Sequence, residues 1–346
     1  MHYLFELNHP KHFHQFKNLF DQIIRNKDSF DVIARDKDVL LALIKENKIP
    51  FYIFGKRGNT IISKLFSVPK TLYDYYRIVK KIKPDVVISK ASPFAAIIGR
   101  LLKIPTVITP DSEVVFLNQL VAPLSSLTIT QRSFNRRLSK NQKYISGFFE
   151  TTYLHPNYFR PMKNEIAEEN LEDGEKYFII RFIGWDANHD VNQFGFSTKQ
   201  KIDLVKCLEK YGRVIITSEK NLPVELDKYI MRISPSKIHH LLSFAHLYVG
   251  DSQSMATEAA ILGTPSIRYN SFVGKNDMSN FNLLQEKYNL LINCCSFEDV
   301  INYSEKIIRN SNARKKWKEK ANTYFKEVGD TNKEMLKLIN AVLKKK

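Results

Sequence analysis

The stretch VGDSQSMATEAAILGTPSIRYNS (residues 249–271) sets one glutamate and one arginine among small and apolar residues. It completes the apolar run HLYVG (246–250) and leads into a second, PSIRY (265–269), with a helix-like segment between them. Asp251 or Ser252 is placed to cap that helix by accepting a hydrogen bond from an orphan backbone N–H. Gly263 and Pro265 are stop signals at its far end. On a helix, Met255, Ala259 and Leu262 form the expected buried stripe, while Ser254 and Glu258 share another face one turn apart. Small residues at 252, 254, 256 and 257 leave the helix entrance open to close approach. Unpaired N–H groups and the positive dipole end suit a phosphate there. A carboxylate one to two turns further in suits the adjacent hydroxyls of a sugar. The constellation fits a nucleoside diphosphate, with the diphosphate at the helix entrance and the ribose at Glu258. An ordinary strand–helix–strand unit with a surface glutamate has the same spacing.

Outward from this stretch, short apolar runs alternate with amphipathic ones. HYLFEL (2–7), FDVIA (30–34), FYIF (51–54), DVVIS (85–89), PTVIT (105–109) and SLTIT (126–130) read as buried parallel strands. Between the first two, HFHQFKNLFDQII aligns Phe13, Phe16, Phe20, Ile23 and Ile24 on one helical face. Residues 151–176 carry prolines and scattered charges without a sustained period and read as an interdomain linker. Alternation resumes with YFIIRF (177–182), RVIIT (213–217), YIMRI (229–233), HLYVG and PSIRY, and three charged helical segments close the chain. The expected fold is α/β, two Rossmann-like doubly wound domains facing across a cleft. Residues 1–150 form the first, 177–330 the second, and the final helix (331–346) is free to return to the first.

The chain has 346 residues, 43% of them hydrophobic, enough for about two cores. Its formal charge is +17, and residues 1–150 carry 24 Lys+Arg against 12 Asp+Glu. A basic first half suits a polyanionic partner: nucleic acid, an anionic membrane surface or a phosphorylated substrate. A lysine-rich genome gives the same bias. Three cysteines, two of them adjacent, make no disulfide framework and fit a reducing cytosol. The N-terminal residues lack a signal peptide's apolar segment, and no run approaches the roughly 18 apolar residues that span a bilayer. The expected location is cytoplasmic, with peripheral attachment to the inner membrane face as an option.

Strand, Gly-Asp-Ser, Glu258-Ala259, Gly263-x-Pro265, strand resembles the nucleotide-binding segment of GT-B glycosyltransferases and of the UDP-N-acetylglucosamine 2-epimerases built on the same fold. The lead-in SKIHHLLSFAHLYVGDS (236–252) is similar too. On NHPKHFHQFKNLF (8–20) with ARDKD (34–38), KPDVVISKASP (83–93) and residues 250–274, the chain is identified as a member of the DUF354 family, a GT-B-like group. The resemblance implies that Glu258 binds ribose and that Gly250, Asp251, Ser252, Gln253 and Ser254 surround the diphosphate. Arg268, on the strand after the proline, either reaches the donor or pairs with an acid. The resemblance also implies that the loop after the first strand faces the reacting carbon.

That loop, LNHPKHFH (7–14), gathers His9, His12 and His14 at a helix start where Pro10 needs no N–H. His-x-x-His-x-His lacks a nearby acidic ligand and matches no common zinc spacing, so no metal is expected. A histidine with an ordinary pKa near 6.5 is suited to deprotonate an acceptor hydroxyl or hold a phosphate, which makes His9 and His14 candidates. Asp111 and Glu113, in ITPDSE (108–113), stand at another strand end as candidate bases or as helix caps. Lys90 and Ser92 follow DVVIS and suit phosphates or acceptor. In RFIGWDANHD (181–190), Arg181 suits a diphosphate and His189 the donor.

Two reactions fit. One is sugar transfer from a nucleotide-diphosphate donor, UDP first, to a cell-surface glycan or lipid-linked acceptor. The other is C2 epimerisation of a UDP-sugar. The epimerases carry Gly-Asp and His-Val-Glu-Ala-Gly after successive strands, where this chain has ISKAS (88–92) and ITPDSE. They carry His-Arg-Arg-Glu-Asn where it has RFIGWDANHD. Those departures favour transfer. A non-catalytic nucleotide-sugar binder is the remaining alternative. Nucleic acid is disfavoured because the basic residues follow no Arg-rich stripe with exposed aromatics. No Gly-x-Gly-x-x-Gly follows the first strand, which argues against a dinucleotide cofactor, and none is expected. Residues 58–83 mix aromatics with Lys and Arg. They read either as a basic amphipathic surface for anionic lipid or as core aromatics beside solvated lysines.

Overall fold

The computed structural model describes residues 1–36, 38–55, 61–184, 193–274 and 277–344. The chain divides into two compact units, Met1–Tyr158 with Gly329–Lys346, and Phe159–Val328. The first contains, in order, β1 (His2–Leu7), α1 (Pro10–Arg25), β2 (Ser29–Ala34), α2 (Asp38–Glu46), β3 (Phe51–Ile53), α3 (Ile61–Ile82) and β4 (Val86–Ser89). It continues with α4 (Pro93–Leu102), β5 (Thr106–Ile108), α5 (Phe116–Val121), β6 (Leu127–Gln131), β7 (Gln142–Ile145) and α6 (Thr151–Leu154). The second contains β8 (Tyr177–Phe182), α7 (Thr198–Leu208), β9 (Arg213–Ser218), α8 (Ile238–Phe244), β10 (Leu247–Gly250) and α9 (Gln253–Ile261). It ends with β11 (Ser266–Tyr269), α10 (Ser279–Glu286), β12 (Leu291–Cys294), α11 (Phe297–Arg309) and α12 (Ala313–Val328), and α13 (Thr331–Leu343) belongs to the first unit.

Both sheets are parallel throughout, ordered β3-β2-β1-β4-β5-β6-β7 and β12-β11-β10-β8-β9. Each reverses its winding once, between β1 and β4 and between β8 and β10, and such switch points open a crevice at the strands' carboxyl ends. Strand alternation sorts the core. Tyr3, Phe5 and Leu7 of β1 pack with α1 and α13, whereas Leu4 packs with Tyr75 and Val79 of α3 and Ala95 and Ile98 of α4. Glu6 shares Leu4's parity and faces the same layer.

Several expectations are corrected. YIMRI is not a strand of the sheet: only Ile230 bridges Ile216, after a 3-10 segment at Val224–Tyr229. The chain passes from the first unit to the second within residues 151–176, between Tyr158 and Phe159. Thr151–Leu154 is a buried helical turn of the first unit, and Lys163–Glu169 is a 3-10 segment of the second. Strands β7 and β12 escape the apolar-run criterion. At the sheet edge, the middle of β7 is Lys143 and Tyr144, both exposed, and polar edges guard against strand pairing with other chains. Ile24 is exposed and Leu19 takes its expected place in the core. Among the described side chains of α3, residues 68–82, Tyr75 and Val79 are fully buried, while Val68 and Tyr73 stand exposed. Core packing therefore takes up part of the apolar surface considered for lipid. No helix among the described residues is long and apolar enough to cross a membrane.

Candidate functional site

In the second unit, Gly250 sits beside Arg181 on β8 and Arg268 on β11, so the three residues align at the ends of adjacent strands. A side chain at 250 would meet the Tyr248 phenol, and also the Arg181 carbonyl oxygen at 2.9 Å, which leaves glycine as the residue that fits. Asp251 is buried; its carboxylate accepts the Ile183 amide (2.9 Å) and its carbonyl accepts from the Asn270 side chain (3.0 Å). It ties strand ends together instead of capping the helix. Ser252 is the cap, accepting the Met255 N–H at 3.4 Å. Gln253 and Ser254 form the half-buried first turn, which carries no acidic residue. Ala256, Ala259, Ala260 and Ile261 of α9 are fully buried, while Met255 is only half-buried.

Glu258 is mostly shielded, and its Oε1 lies 3.3 Å from Nε2 of His239 on α8, itself buried. Arg181 donates to Thr217 Oγ1 and Glu219 Oε1, both at 2.6 Å, and Glu219 also accepts the Gly184 amide at 3.1 Å. Both terminal nitrogens of Arg181 are therefore engaged within the unit. Arg268 is fully buried. It pairs with Asp277, donates Nε–H to Asn293 Oδ1 (2.8 Å) and lies 3.6 Å above the Phe281 ring. Burial lowers its pKa and Asp277 opposes that. Removing one partner of such a pair costs about 3–5 kcal/mol, so Arg268 is a structural post of the β11–β12 edge. His189, with Trp185, Asp186 and Asp190, lies outside the described residues.

In the first unit a cavity of about 500 Å³ opens at the ends of β1, β2, β4 and β5, beside the switch point. Glu6, Asn8, His12, Arg35, Lys90 and Asp111 line it. Lys90 donates to Gln15 (2.8 Å), pairs with Asp111 (3.2 Å) and lies 4.4 Å over Phe149; Lys11 joins Asp111 (3.3 Å) to Glu150 (2.9 Å). Burial would raise the Asp111 pKa, but Lys90 and Lys11 together reverse this and hold it well below the usual carboxylate range. Nδ1 of His12 accepts the Asn8 amide at 3.1 Å, which puts the proton of the neutral ring on Nε2. Burial, aided by Lys90, keeps its pKa well below the ordinary value. Glu6 is fully buried, with Oε1 accepting from Asn8 (2.7 Å) and Oε2 without a hydrogen-bond donor. Burial pushes its pKa up, against Asn8, Ser92, Tyr75 and Arg35.

Of the four residues expected to be catalytic, Asp111 lines the cavity and His9, His14 and Glu113 do not. His9 is exposed and caps α1, its Nδ1 accepting the Lys11 N–H at 3.1 Å. The His14 ring packs against Phe13 and Tyr153. The Glu113 carboxylate accepts the Asn135 amide and so fastens its loop. Sequence reasoning passed over Glu6, Arg35 and His239, and named His9 and His14 where His12 is the histidine that lines the cavity. The parity of β1 was the available signal for Glu6. Among the described residues no three His, Cys, Asp or Glu side chains gather to hold a metal ion.

The profile of the family described as "Protein of unknown function (DUF354)" matches residues 3–337. The uncharacterized protein MJ0665 of Methanocaldococcus jannaschii is 23% identical over 317 residues, covering 87% of this chain and 89% of its own. The structure of UDP-GlcNAc 2-epimerase from Neisseria meningitidis, bound to UDP-GlcNAc, aligns with a TM-score of 0.69 at 12% identity, over 99% of this chain and all of that one. Spinosyn forosaminyltransferase SpnP aligns with a TM-score of 0.67 at 13% identity, over 99% of both chains. At such identities the likeness is one of fold, two Rossmann-like units of GT-B type carrying two parallel sheets. With its profile match running nearly end to end, the chain belongs to the DUF354 family.

Proposed function

We propose that this protein is a metal-independent GT-B glycosyltransferase, moving a sugar from a nucleotide-diphosphate donor, UDP-sugar first, to a cell-surface glycan or lipid-linked acceptor. The observation that carries the reading is the entrance of α9: a capped, small-residue helix start at the switch point, with Glu258 one to two turns inside. Orphan N–H groups and the helix dipole there hold the diphosphate. Glu258, oriented by His239, takes the ribose hydroxyls. The first unit's cavity holds the acceptor. Asp111, ionised between two lysines, orients a hydroxyl, and Glu6, made more basic by burial, takes its proton.

Epimerisation is the rival, favoured by the fold likeness to the Neisseria enzyme. An NMR time course with UDP-, GDP- and dTDP-sugars separates the two. Nucleotide release that requires an added cell-envelope extract is the expected result. Conversion of a sugar to its C2 epimer without acceptor would establish the rival. Glu258→Ala is expected to weaken UDP binding at least tenfold by calorimetry, about 1.4 kcal/mol; full affinity would remove the ribose assignment.

A further inference from the structure

Arg35 follows β2 and lines the first unit's cavity. Its guanidinium lies against the rings of Phe54 and Phe94, 5.3 and 5.4 Å from their centres. Ring faces hold the cation without offering its N–H groups an oxygen acceptor. No described residue accepts a hydrogen bond from that guanidinium or forms an ion pair with it. The neighbouring charges balance without it, because Lys90 and Lys11 are matched by Asp111 and Glu150. Glu6 is the other carboxylate of the cavity, and neither of its oxygens pairs with Arg35: Oε1 accepts from Asn8 and Oε2 has no hydrogen-bond partner. Two other donors share the cavity: Nε2–H of neutral His12, and the Lys90 ammonium. Three donors from three elements match the three oxygens of a phosphoryl group one to one.

We infer that this cavity binds a phosphoryl group carried by the acceptor, with Arg35 as its anchor. This rests on reading the first unit as the acceptor-holding half. Two sources share the chemistry, a soluble sugar phosphate and a lipid phosphate whose chain would lie along Val115 and Leu117 at the cavity wall.

The test is ³¹P NMR and calorimetry on the full chain without nucleotide, using α-D-glucose 1-phosphate and geranyl phosphate as probes. At least one probe is expected to bind, about tenfold more weakly to Arg35→Gln and unchanged in Arg100→Gln, which removes an exposed charge from α4. Circular dichroism checks folding. If Arg35→Gln does not fold, Arg35→Lys replaces it; keeping the charge but losing the fork, it must still weaken binding about threefold. Preference for glucose 1-phosphate assigns the soluble source, preference for geranyl phosphate the lipid. No binding of either probe, or equal affinity in wild type and Arg35→Gln, overturns the inference. Nucleotide-sugar turnover is read separately, so the transferase reading stands or falls on its own result.

Discussion

Asp111 shows how far a residue's chemistry depends on its neighbours. In isolation, an aspartate at a strand end is a fair candidate for a general base. Between Lys90 and Lys11 it is a firmly ionised anchor and a weak base. The sign follows by linkage. Its folded pKa lies below the unfolded value near 4, so its stabilisation is complete above that value. As pH falls below about 4, the unfolded chain takes up the proton first and the contribution is lost progressively. Asp111→Asn is therefore expected to be less stable than wild type at pH 7, with a shallower loss of stability between pH 4 and 2, measured by urea unfolding. Parallel pH curves for the two proteins would show that the lysine pairing does not stabilise the fold. The three histidines of residues 9–14 make a similar point. Their spacing is plain in the sequence, but one caps α1, one lines the cavity and one packs on Tyr153.

At the scale of elements, the two ends of α9 have different causes. Its start is local, a serine side chain bonded to a first-turn amide. Its end is partly tertiary. Gly263 adopts φ +74° and closes the helix, but a side chain there would also meet Lys318 of α12, whose Cα lies 2.9 Å from the would-be carbon. The Lys318 ammonium donates to the Leu262 carbonyl. Helix α13 starts on a local cap, the Asp330 side chain accepting the Lys333 N–H, and is otherwise held by tertiary contacts. Met335, Leu336 and Ile339 enter the core beneath β1, and the Asn332 side chain donates to the Thr152 carbonyl at 2.6 Å. Ile339→Ala is expected to cost about 2–5 kcal/mol in chemical denaturation of the full chain. A change under about 0.5 kcal/mol would show that α13 is not part of the first unit's core.

At the scale of the whole molecule, the units differ in continuity. The second is one uninterrupted stretch with its own core, from Phe178 to Ala313, whereas the first needs residues from both ends of the chain. A fragment spanning 159–328 is expected to fold alone and to bind UDP within about threefold of the full chain, since continuous units with their own cores fold independently. A fragment spanning 1–158 should be aggregated or molten by near-UV circular dichroism, for want of α13. The expectation fails if 159–328 lacks a cooperative unfolding transition.

Fold class and the α9 region could be read from the sequence because their signals are local. Uninterrupted apolar runs mark strands buried on both faces, and a capped helix entrance with Glu258 inside shows its own spacing. The first-unit site could not be read in this way. Lys11 and Asp111 are a hundred residues apart in the chain and 3.3 Å apart in space. Likewise Glu258 meets His239, and Arg268 meets Asp277, only because α8 packs on α9 and the β11–β12 edge folds over. Spacing along the chain determines which side chains share a face; which faces meet, and so which charges are neutralised and which, like Arg35, remain to bind, is decided by packing.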